Sequence, residues 1–209
     1  MADRGRRDQI LHAARTLFSE KGYHATTIRD IAQMSGLLSG SLYAHIRTKE
    51  DLLFEITDEV ADQFLEGLQA VVDSADPPPV KFRRALVSHI QVVARNLDAA
   101  RVFSHEWRAL QGERRDRIQQ KRDEYERLWT AVLSEGVAAG WFYPSHQRFA
   151  RMVSLSVANW VYQWYDPSGQ LSPEEVAGRL ADVLLTGLQK PAASSKAPMG
   201  EVSSACPTE

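Results

Sequence analysis

The fold of this 209-residue chain is decided by residues 26–53, TTIRDIAQMSGLLSGSLYAHIRTKEDLL. A threonine cap before Ile28 and a break at Gly36 predict one short helix, and residues 39–46 predict a second one after a tight turn. Two short helices joined by a glycine-containing turn form the geometry that places a helix in the major groove of DNA. The segment therefore predicts a helix-turn-helix.

Helical periodicity continues on both sides of this segment, and no stretch alternates in the manner of a β-strand. Apolar residues between Ile10 and Phe18 share one helical face, and Gly22 ends that helix. A long helix capped by Thr48 is expected to end at prolines 77–79 and to be followed by five more. The sequence thus predicts an all-α fold of about nine helices, divided into a head (residues 1–50), a body (residues 51–190) and a disordered tail (residues 191–209).

The composition limits the classes of protein to which the chain can belong. At 44% hydrophobic residues it can bury a core, but no apolar run is long enough to cross a bilayer, and its first ten residues are charged. We therefore expect a cytoplasmic protein with no membrane partner. The single Cys206 excludes an intrachain disulfide and a cysteine-based metal cluster. Because GxSxG, HExxH and glycine-rich phosphate loops are absent, we predict no enzyme, no catalytic residue, no metal and no cofactor.

Charge is distributed unevenly between the head and the remainder of the chain. Residues 1–50 contain eight Lys and Arg against five Asp and Glu, whereas residues 51–209 contain 17 against 22. A positive head on an acidic body suits contact with phosphates at one pole of the molecule.

The residues expected to contact DNA lie near the helix starts of the motif. Small residues at 39–41 permit close approach to the sugar–phosphate wall, and the side chains at 43 and 45 reach phosphates or base edges. Helix N-termini and a nearby ammonium group bind phosphate well. The predicted contacts are Arg6, Thr26, Thr27, Ser39, Gly40, Ser41, Tyr43, His45 and Lys49. Arg6, with Arg4 and Arg7, is either an arm that reaches the duplex or a solvated terminal arginine.

The pattern of these residues closely resembles the N-terminal domain of TetR-family transcriptional regulators. The resemblance covers about the first 50 residues and implies nine or so helices, a dimer built by the last two, and a ligand cavity in the C-terminal domain. Ala44 and Ile46 depart from the commonest family pattern, which leaves base contact at position 44 open. The matching residues are Phe18, Gly22, Thr26, Thr27, Ile31, Ala32, Gly36, Ser41, Leu42, Tyr43, His45, Lys49, Leu52 and Leu53.

Residues 36–43, 159–169 and 171–176 resemble the branch of this family that responds to acyl-CoA thioesters in fatty-acid, aromatic-acid or sterol catabolism. That resemblance implies an acyl-CoA effector, whose tail needs an apolar channel and whose phosphates need arginines such as Arg101, Arg108, Arg114, Arg115 and Arg122. Aromatic residues at helical spacing also serve as ordinary core, and arginines as solvated or ion-paired surface groups. The predicted ligand contacts are Phe103, Trp107, Arg108, Leu110, Leu128, Trp129, Trp160, Gln163 and Trp164.

The last two helices are predicted to be apolar on more than one face, which requires a second partner besides the core. A homodimer meets this need and matches a palindromic operator. The apolar residues concerned are Met152, Val153, Leu155, Leu180, Val183, Leu184 and Leu188.

The hypothesis is a repressor whose fourth helix swings when the effector binds, which lowers the affinity for the operator. One alternative is a TetR-type regulator of an efflux pump that senses a lipophilic or cationic drug. Another is a helical scaffold that does not bind DNA. The pair His105–Glu106 has no second histidine suitably placed, so a partner-bonded histidine is favoured over a metal ligand.

Overall fold

The first three helices of the computed structural model form a compact head around the turn at Gly36. The structure describes the backbone of residues 2–188 and the side chains of residues 5–186. Within them, Gly36 has a φ of 69°, a left-handed conformation that glycine adopts without strain and that turns the chain between two helices. The helices of the head are α1 (Ala2–Lys21), α2 (Ile28–Met34) and α3 (Ser39–Leu42).

Six further α-helices follow in the described chain, and the described residues contain no β-strand. The predicted all-α class is therefore confirmed. Short 3₁₀ turns follow α6 and α8 and precede α8. The bounds are α4 (Lys49–Val72), α5 (Pro78–Arg95), α6 (Leu97–His105), α7 (Gly112–Ala138), α8 (Gln147–Trp160) and α9 (Pro173–Leu188).

Local capping explains where the two helices around the turn begin. The Thr27 hydroxyl accepts the Asp30 N–H, and the Asp30 carboxylate accepts the Thr27 N–H. The same reciprocal capping box links Thr48 and Asp51 at the start of α4. Each box satisfies helix N–H groups that would otherwise lack a partner, which is worth about 1 kcal/mol.

Helix α4 connects the head to the body. Leu52, Leu53 and Ile56 are fully buried near its start, and Phe64 and Leu68 are buried farther along. One continuous apolar core results, with α4 packed against α5, α6 and α7, and α1 packed against α6. Any movement of α6 or α7 is therefore transmitted directly to α4 or α1.

Three helix predictions differ from the structure. The third helix ends at Leu42 instead of residue 46, because the amides of Ala44 and His45 bond to carbonyls three residues back and close single turns. The eighth helix begins at Gln147, after a 3₁₀ turn that starts at Pro144. Helix α1 already contains residues 6 and 7, so they do not form an extended arm. The side chain of Arg4 and the predicted tail, residues 191–209, lie outside the described residues.

Candidate nucleic-acid interface and effector cavity

Helix α3 presents a polar, low-relief surface to the outside of the head. Ser39, Gly40 and Ser41 are exposed, and Tyr43 immediately after the helix is 59% exposed. Leu42 is fully buried and holds the helix against the head. Such a surface can enter a groove until its backbone meets the sugar–phosphate wall. Leu38, which lies just before α3 and is 81% exposed, shares this surface and was not predicted from the sequence.

Thr26 and Thr27 differ in whether their side chains are accessible to DNA. Thr27 is exposed at the start of α2, beside the positive end of the helix. Thr26, predicted as a phosphate contact, is buried instead, and its hydroxyl donates to the carbonyls of Leu17 and Gly22. Its own N–H donates to the Tyr23 carbonyl. Thr26 therefore fixes α2 to α1 and has no group left for phosphate.

Lys49 also faces inward, contrary to the prediction of a phosphate contact. Its Nζ donates to the carbonyls of Tyr23 and Thr26, each at 2.7 Å, and lies 4.2 Å from the centre of the Tyr23 ring. Partial burial lowers the pKa of the ammonium group. The side chain joins the start of α4 to the loop between α1 and α2, so it stabilises the head.

We expect the variant Lys49→Met to lower the free energy of unfolding of the protein by about 1–3 kcal/mol, because two carbonyls lose a charged donor. Chemical denaturation measures this loss. Arg47→Met is the matched control, since this neighbouring side chain is exposed and should change stability by less than about 0.5 kcal/mol. If Lys49→Met were as stable as wild type but bound the operator more weakly, Lys49 would be a phosphate contact after all.

The remaining basic residues near the motif fall into two groups. Arg6 is exposed and its guanidinium donates to the Gln9 side chain, so it remains able to reach a phosphate. Arg7 pairs with Glu55 of α4 and donates to the backbone carbonyl of His45. His45 itself is half-buried. Arg7 thus ties the C-terminal end of the recognition segment to α4.

An internal cavity of about 240 Å³ lies in the body between α4, α5, α6, α7 and α8. Its apolar wall is largely aromatic: Phe64 packs against Phe103 at 5.5 Å and against Tyr125 at 5.4 Å between ring centres. Basic side chains from α7 and α8 line its other side. The lining residues that sequence reasoning missed include Phe64, His89, Tyr125, Arg151, Leu155 and Asn159.

Of the nine predicted ligand contacts Phe103 alone lines this cavity, together with Arg122, one of the arginines expected to meet the phosphates of coenzyme A. Leu110, Leu128 and Trp129 are instead buried in the core, where Trp129 packs edge-on against Phe82 at 5.9 Å. Trp160, Gln163 and Trp164 are exposed and lie outside the cavity wall. Trp107 is buried and Arg108 exposed, and both lie beside the cavity without lining it. Aromatic content alone therefore did not distinguish core from cavity.

Arg122 is the most informative side chain of the cavity. Its guanidinium lies 5.1 Å from the ring centre of Phe103 and 5.0 Å from that of Trp107. Burial lowers its pKa, and the neighbouring Arg108 lowers it further. Among the described residues, no carboxylate forms a salt bridge with Arg122, whereas Arg151 pairs with Glu126 and Lys121 pairs with Asp58 and Asp62. Glu126 and Asp123 of the same helix attract the guanidinium without forming a salt bridge with it. A partly buried cation with no directly paired carboxylate is suited to an anionic ligand.

A second, larger concavity of about 980 Å³ opens between α3 and the outer face of α4. It is wide open to solvent and is lined along α4 by six carboxylates. Their negative charge disfavours phosphates, so the smaller and less open cavity is the better candidate for an anionic effector. The six residues are Asp51, Glu55, Asp58, Glu59, Asp62 and Glu66.

Polar contacts connect the cavity to the head through two routes. Lys121, which lines the cavity, pairs with Asp58 and Asp62 of α4. Arg114 pairs with Asp51 at the N-terminus of α4. Burial alone would raise the pKa of the Asp51 carboxyl. Hydrogen bonds from the amide of Thr48, the Arg114 guanidinium and the amide of residue 47 outweigh this effect, so the pKa is lowered overall.

The second route passes from α6 to the loop after α1. The Glu106 carboxylate accepts the backbone N–H of Tyr23 at 3.0 Å. Glu106 directly precedes Trp107, on which Arg122 stacks. The adjacent His105 bonds through Nε2 to the Tyr162 hydroxyl, as expected for a partner-bonded histidine. A ligand that moves Arg122 therefore acts on the segment that holds the head.

An apolar face of α8 and α9 is left uncovered in the single chain. Val183 is 72% exposed, and Phe149, Met152 and Val153 are exposed on the neighbouring helix. Leu180 and Leu184 are half-buried against the core, and the side chain of residue 188 lies outside the described range. Exposed apolar surface of this kind marks a site of protein association.

An exposed recognition helix on a braced three-helix head, joined to a helical body with an internal cavity, defines a helix-turn-helix transcriptional regulator. The family model for bacterial regulatory proteins of the tetR family matches residues 10–56, and the model for the tetracyclin repressor-like C-terminal domain matches residues 75–188. The chain belongs to the TetR family. Membership in this family of regulators also agrees with the prediction that the chain is not an enzyme.

Its relatives include regulators of lipid metabolism. The chain is 31% identical to the HTH-type transcriptional repressor KstR2 of Mycolicibacterium smegmatis, over 88% of this chain and 90% of that one. The structure of the ketosteroid transcriptional regulator KstR2 of Mycobacterium tuberculosis superimposes with a TM-score of 0.83 at 26% identity, covering 89% and 96% of the two chains. The structure of AibR with isovaleryl coenzyme A and operator DNA gives a TM-score of 0.74 at 28% identity, covering 90% and 100%.

Among the described residues, no helix combines the length and the apolar character that crossing a bilayer requires. Residues 5–186 contain no group of three or more His, Cys, Asp or Glu side chains arranged to hold a metal ion.

Proposed function

We propose that this protein is a homodimeric repressor that binds a palindromic operator and is released from it by an acyl-CoA thioester. The genes under its control would then serve the catabolism of lipids or related acids. The observation that carries the proposal is Arg122, a cation without a salt-bridge partner among the described residues, stacked on two aromatic rings beside an apolar cavity. An acyl-CoA combines an apolar tail with phosphates, and this arrangement offers a place for each.

The phosphate end would lie against Arg122 and Arg108. These two arginines stack on the indole of Trp107, at 5.0 and 4.9 Å from its ring centre. Burial, and after it the repulsion from Arg108, lowers the pKa of Arg122, and an anion bound to both arginines would relieve that repulsion. Two guanidinium groups on one indole also leave their N–H edges free to donate to phosphate oxygens. The cavity of about 240 Å³ is too small for a whole coenzyme A molecule, so only the acyl group enters it.

Two relatives support this choice of effector. AibR has been crystallised with isovaleryl coenzyme A and operator DNA together, and KstR2 is described as a ketosteroid regulator. Both align with this chain over nearly its whole length. The alternative of a cationic drug is disfavoured by charge, because three basic side chains, Lys121, Arg122 and Arg151, line the cavity against the single carboxylate of Glu126.

Operator contact is assigned to those predicted residues that the structure leaves accessible. Their groups lie at the starts of α2 and α3 and at the exposed end of the recognition segment. Phosphate contacts fix the register of the head, and the side chains after α3 meet the base edges. The assigned residues are Arg6, Thr27, Ser39, Gly40, Ser41, Tyr43 and His45. The second head of the dimer would bind the other half of the palindrome.

Release would follow from the contacts between the cavity and the head. An acyl-CoA phosphate that draws Arg122 away from Trp107 moves the end of α6, whose Glu106 holds the N–H of Tyr23. Displacement of Lys121 would loosen its pairs with Asp58 and Asp62 on α4. The ligand lowers operator affinity only by its own preference for the released form, typically about 1–3 kcal/mol.

The test is a titration of acyl-CoA thioesters into the protein bound to a fluorescent fragment of its own promoter. Wild type should leave the DNA as acyl-CoA is added. Arg122→Leu should bind the same DNA equally well but require about ten to a hundred times more acyl-CoA for release, because a charge-assisted contact to phosphate is lost. Fluorescence anisotropy measures both constants.

Arg127→Leu is the matched control on the same helix. This arginine is exposed and pairs with Glu124 of its own helix, away from the cavity. Its removal should leave both constants unchanged. If no acyl-CoA released wild type, the effector assignment would be wrong, and if Arg122→Leu responded like wild type, the phosphate contact would lie elsewhere.

A further inference from the structure

One polar group in the cavity has no role in the contacts proposed so far. His89 of α5 lines the cavity and is 2% exposed. Its Nδ1 lies 2.8 Å from the hydroxyl oxygen of Tyr125, whereas its Nε2 is buried and has no hydrogen-bond partner among the described residues. Proteins rarely leave such an atom unpaired, because its lost hydration is not replaced. A buried, unpaired ring nitrogen at a cavity wall indicates a partner that arrives with the ligand.

The neighbours of His89 determine which of its nitrogens carries the proton. Burial lowers the pKa of His89 to about 3, against the opposite effect of the nearby Asn159 side chain, so the ring is neutral; the Asn159 amide makes no hydrogen bond with Nε2. Burial raises the pKa of Tyr125, so its hydroxyl keeps its proton. A buried hydroxyl proton needs an acceptor, and the acceptor that the described residues offer it is His89 Nδ1. The proton of the neutral ring therefore lies on Nε2.

The surroundings of this N–H group are apolar and aromatic. The Phe64 ring lies 4.5 Å from the imidazole ring, between their centres, and Ala61, Phe103 and Leu155 complete this part of the wall. The basic side chains of the cavity come from α7 and α8, and each of Lys121 and Arg151 is paired with a carboxylate. An apolar ring or chain therefore fits here, with a single hydrogen-bond donor pointing to one position on it.

We propose that His89 recognises a ketone or hydroxyl oxygen on the acyl group of the effector, so that the protein selects oxygenated acyl groups over plain hydrocarbon ones. This inference rests on the proposed function, since it specifies the acyl portion of the same ligand. The side chain of Asn159, which also lines the cavity, supplies a second donor and acceptor for a hydroxyl group. Tyr125 positions the imidazole without touching the ligand oxygen.

Specificity of this kind is strong in an apolar site. When the oxygen is missing, the donor stays buried without a partner, and discrimination is correspondingly larger than the strength of one hydrogen bond in water. A plain acyl chain would still fill the cavity, but it would leave Nε2 as unsatisfied as it is in the empty protein.

The test compares CoA thioesters that share one carbon skeleton, namely cyclohexanecarboxyl-CoA and its 3-oxo and 4-oxo forms. Isothermal titration of the full-length protein should show at least one oxo form binding about tenfold more tightly than the plain thioester. His89→Phe keeps the ring and removes the donor, so the preference should fall to about one while the plain thioester binds as well as before. His89→Gln retains a donor and should keep part of the preference.

Two further variants separate recognition from a general disturbance of the body. Tyr125→Phe removes the group that fixes the His89 proton and should weaken the preference without abolishing it. Gln91→Leu alters a half-buried residue of the same helix, bonded to Glu174 outside the cavity, and should leave the preference intact. Thermal unfolding of each variant identifies any that does not fold.

The possible failures point to different conclusions. Equal binding of all three thioesters by wild type, or an undiminished oxo preference in His89→Phe, would overturn the role of His89 and leave an acyl-CoA effector in place. Binding of none of the three, together with no response to other acyl-CoA thioesters, would overturn the proposed function and this inference with it.

Discussion

Replacing Trp129 with alanine should lower the free energy of unfolding by about 3–5 kcal/mol. The side chain is 0% exposed and packs against Phe82 at the centre of the body. Its removal leaves a large cavity and deprives the neighbouring rings of their contacts, so the whole body loses stability. Chemical denaturation followed by circular dichroism measures the change.

Trp164→Ala is the matched control for this substitution. The same indole is removed, but from a position that is half exposed, so the stability of the single chain should change by less than about 1 kcal/mol. A stable Trp129→Ala protein that had lost only its affinity for acyl-CoA would show that Trp129 belongs to the ligand site, as the sequence suggested.

In the proposed homodimer, a charge placed on the apolar face of α8 and α9 should separate the two subunits. Val183→Asp introduces a carboxylate at a position that is 72% exposed in the single chain and would be buried between two copies. The loss of a central apolar contact alone raises a dissociation constant about thirtyfold, and an unpaired buried charge adds to this. Light scattering over a range of concentrations should show monomers where wild type is dimeric, and operator affinity should fall with them.

Met34→Asp provides the comparison for that variant. This methionine is also exposed, but it lies in α2 of the head, which packs against α1 and α3. The subunits should remain associated. A dimeric Val183→Asp protein with normal operator binding would exclude this face as the subunit interface.

Local signals account for the parts of the fold that the sequence predicted well. The capping residues Thr27 and Thr48 and the turn at Gly36 act within a few residues of themselves, so their consequences can be predicted without knowledge of the rest of the molecule. The third helix was predicted too long because the hydrogen bonds that end it at Leu42 involve no special residue type.

The cavity was predicted less well because its wall is assembled from five helices. Tyr125 and Trp129 are one turn apart on α7 and both aromatic, yet the first lines the cavity and the second lies in the core. His89 and Asn159 come from other helices and are brought to the same cavity only by packing. Periodicity identifies the inner face of a helix but not whether atoms or a void lie opposite it.

Lys49 and Thr26 illustrate a related limit at the DNA-binding end. Both residue types commonly meet phosphates at helix starts, and their spacing favoured that role. In the structure both donate to backbone carbonyls of the same loop. The residue types correctly indicated hydrogen-bond donors. The direction in which each side chain points was decided by which backbone carbonyls remained without a helical partner.

The bond from Tyr23 to Glu106 has a consequence for engineering. At this junction the Glu106 carboxylate of the body accepts the main-chain N–H of Tyr23 in the head, and Lys49 donates to main-chain carbonyls of the head. Contacts of that kind do not depend on which side chains the donor loop carries. A head with a different recognition sequence can therefore be grafted onto this body, provided that the partners of Arg114 at the start of α4 are kept. Under the proposed function, such a graft would connect the same metabolite signal to a new promoter.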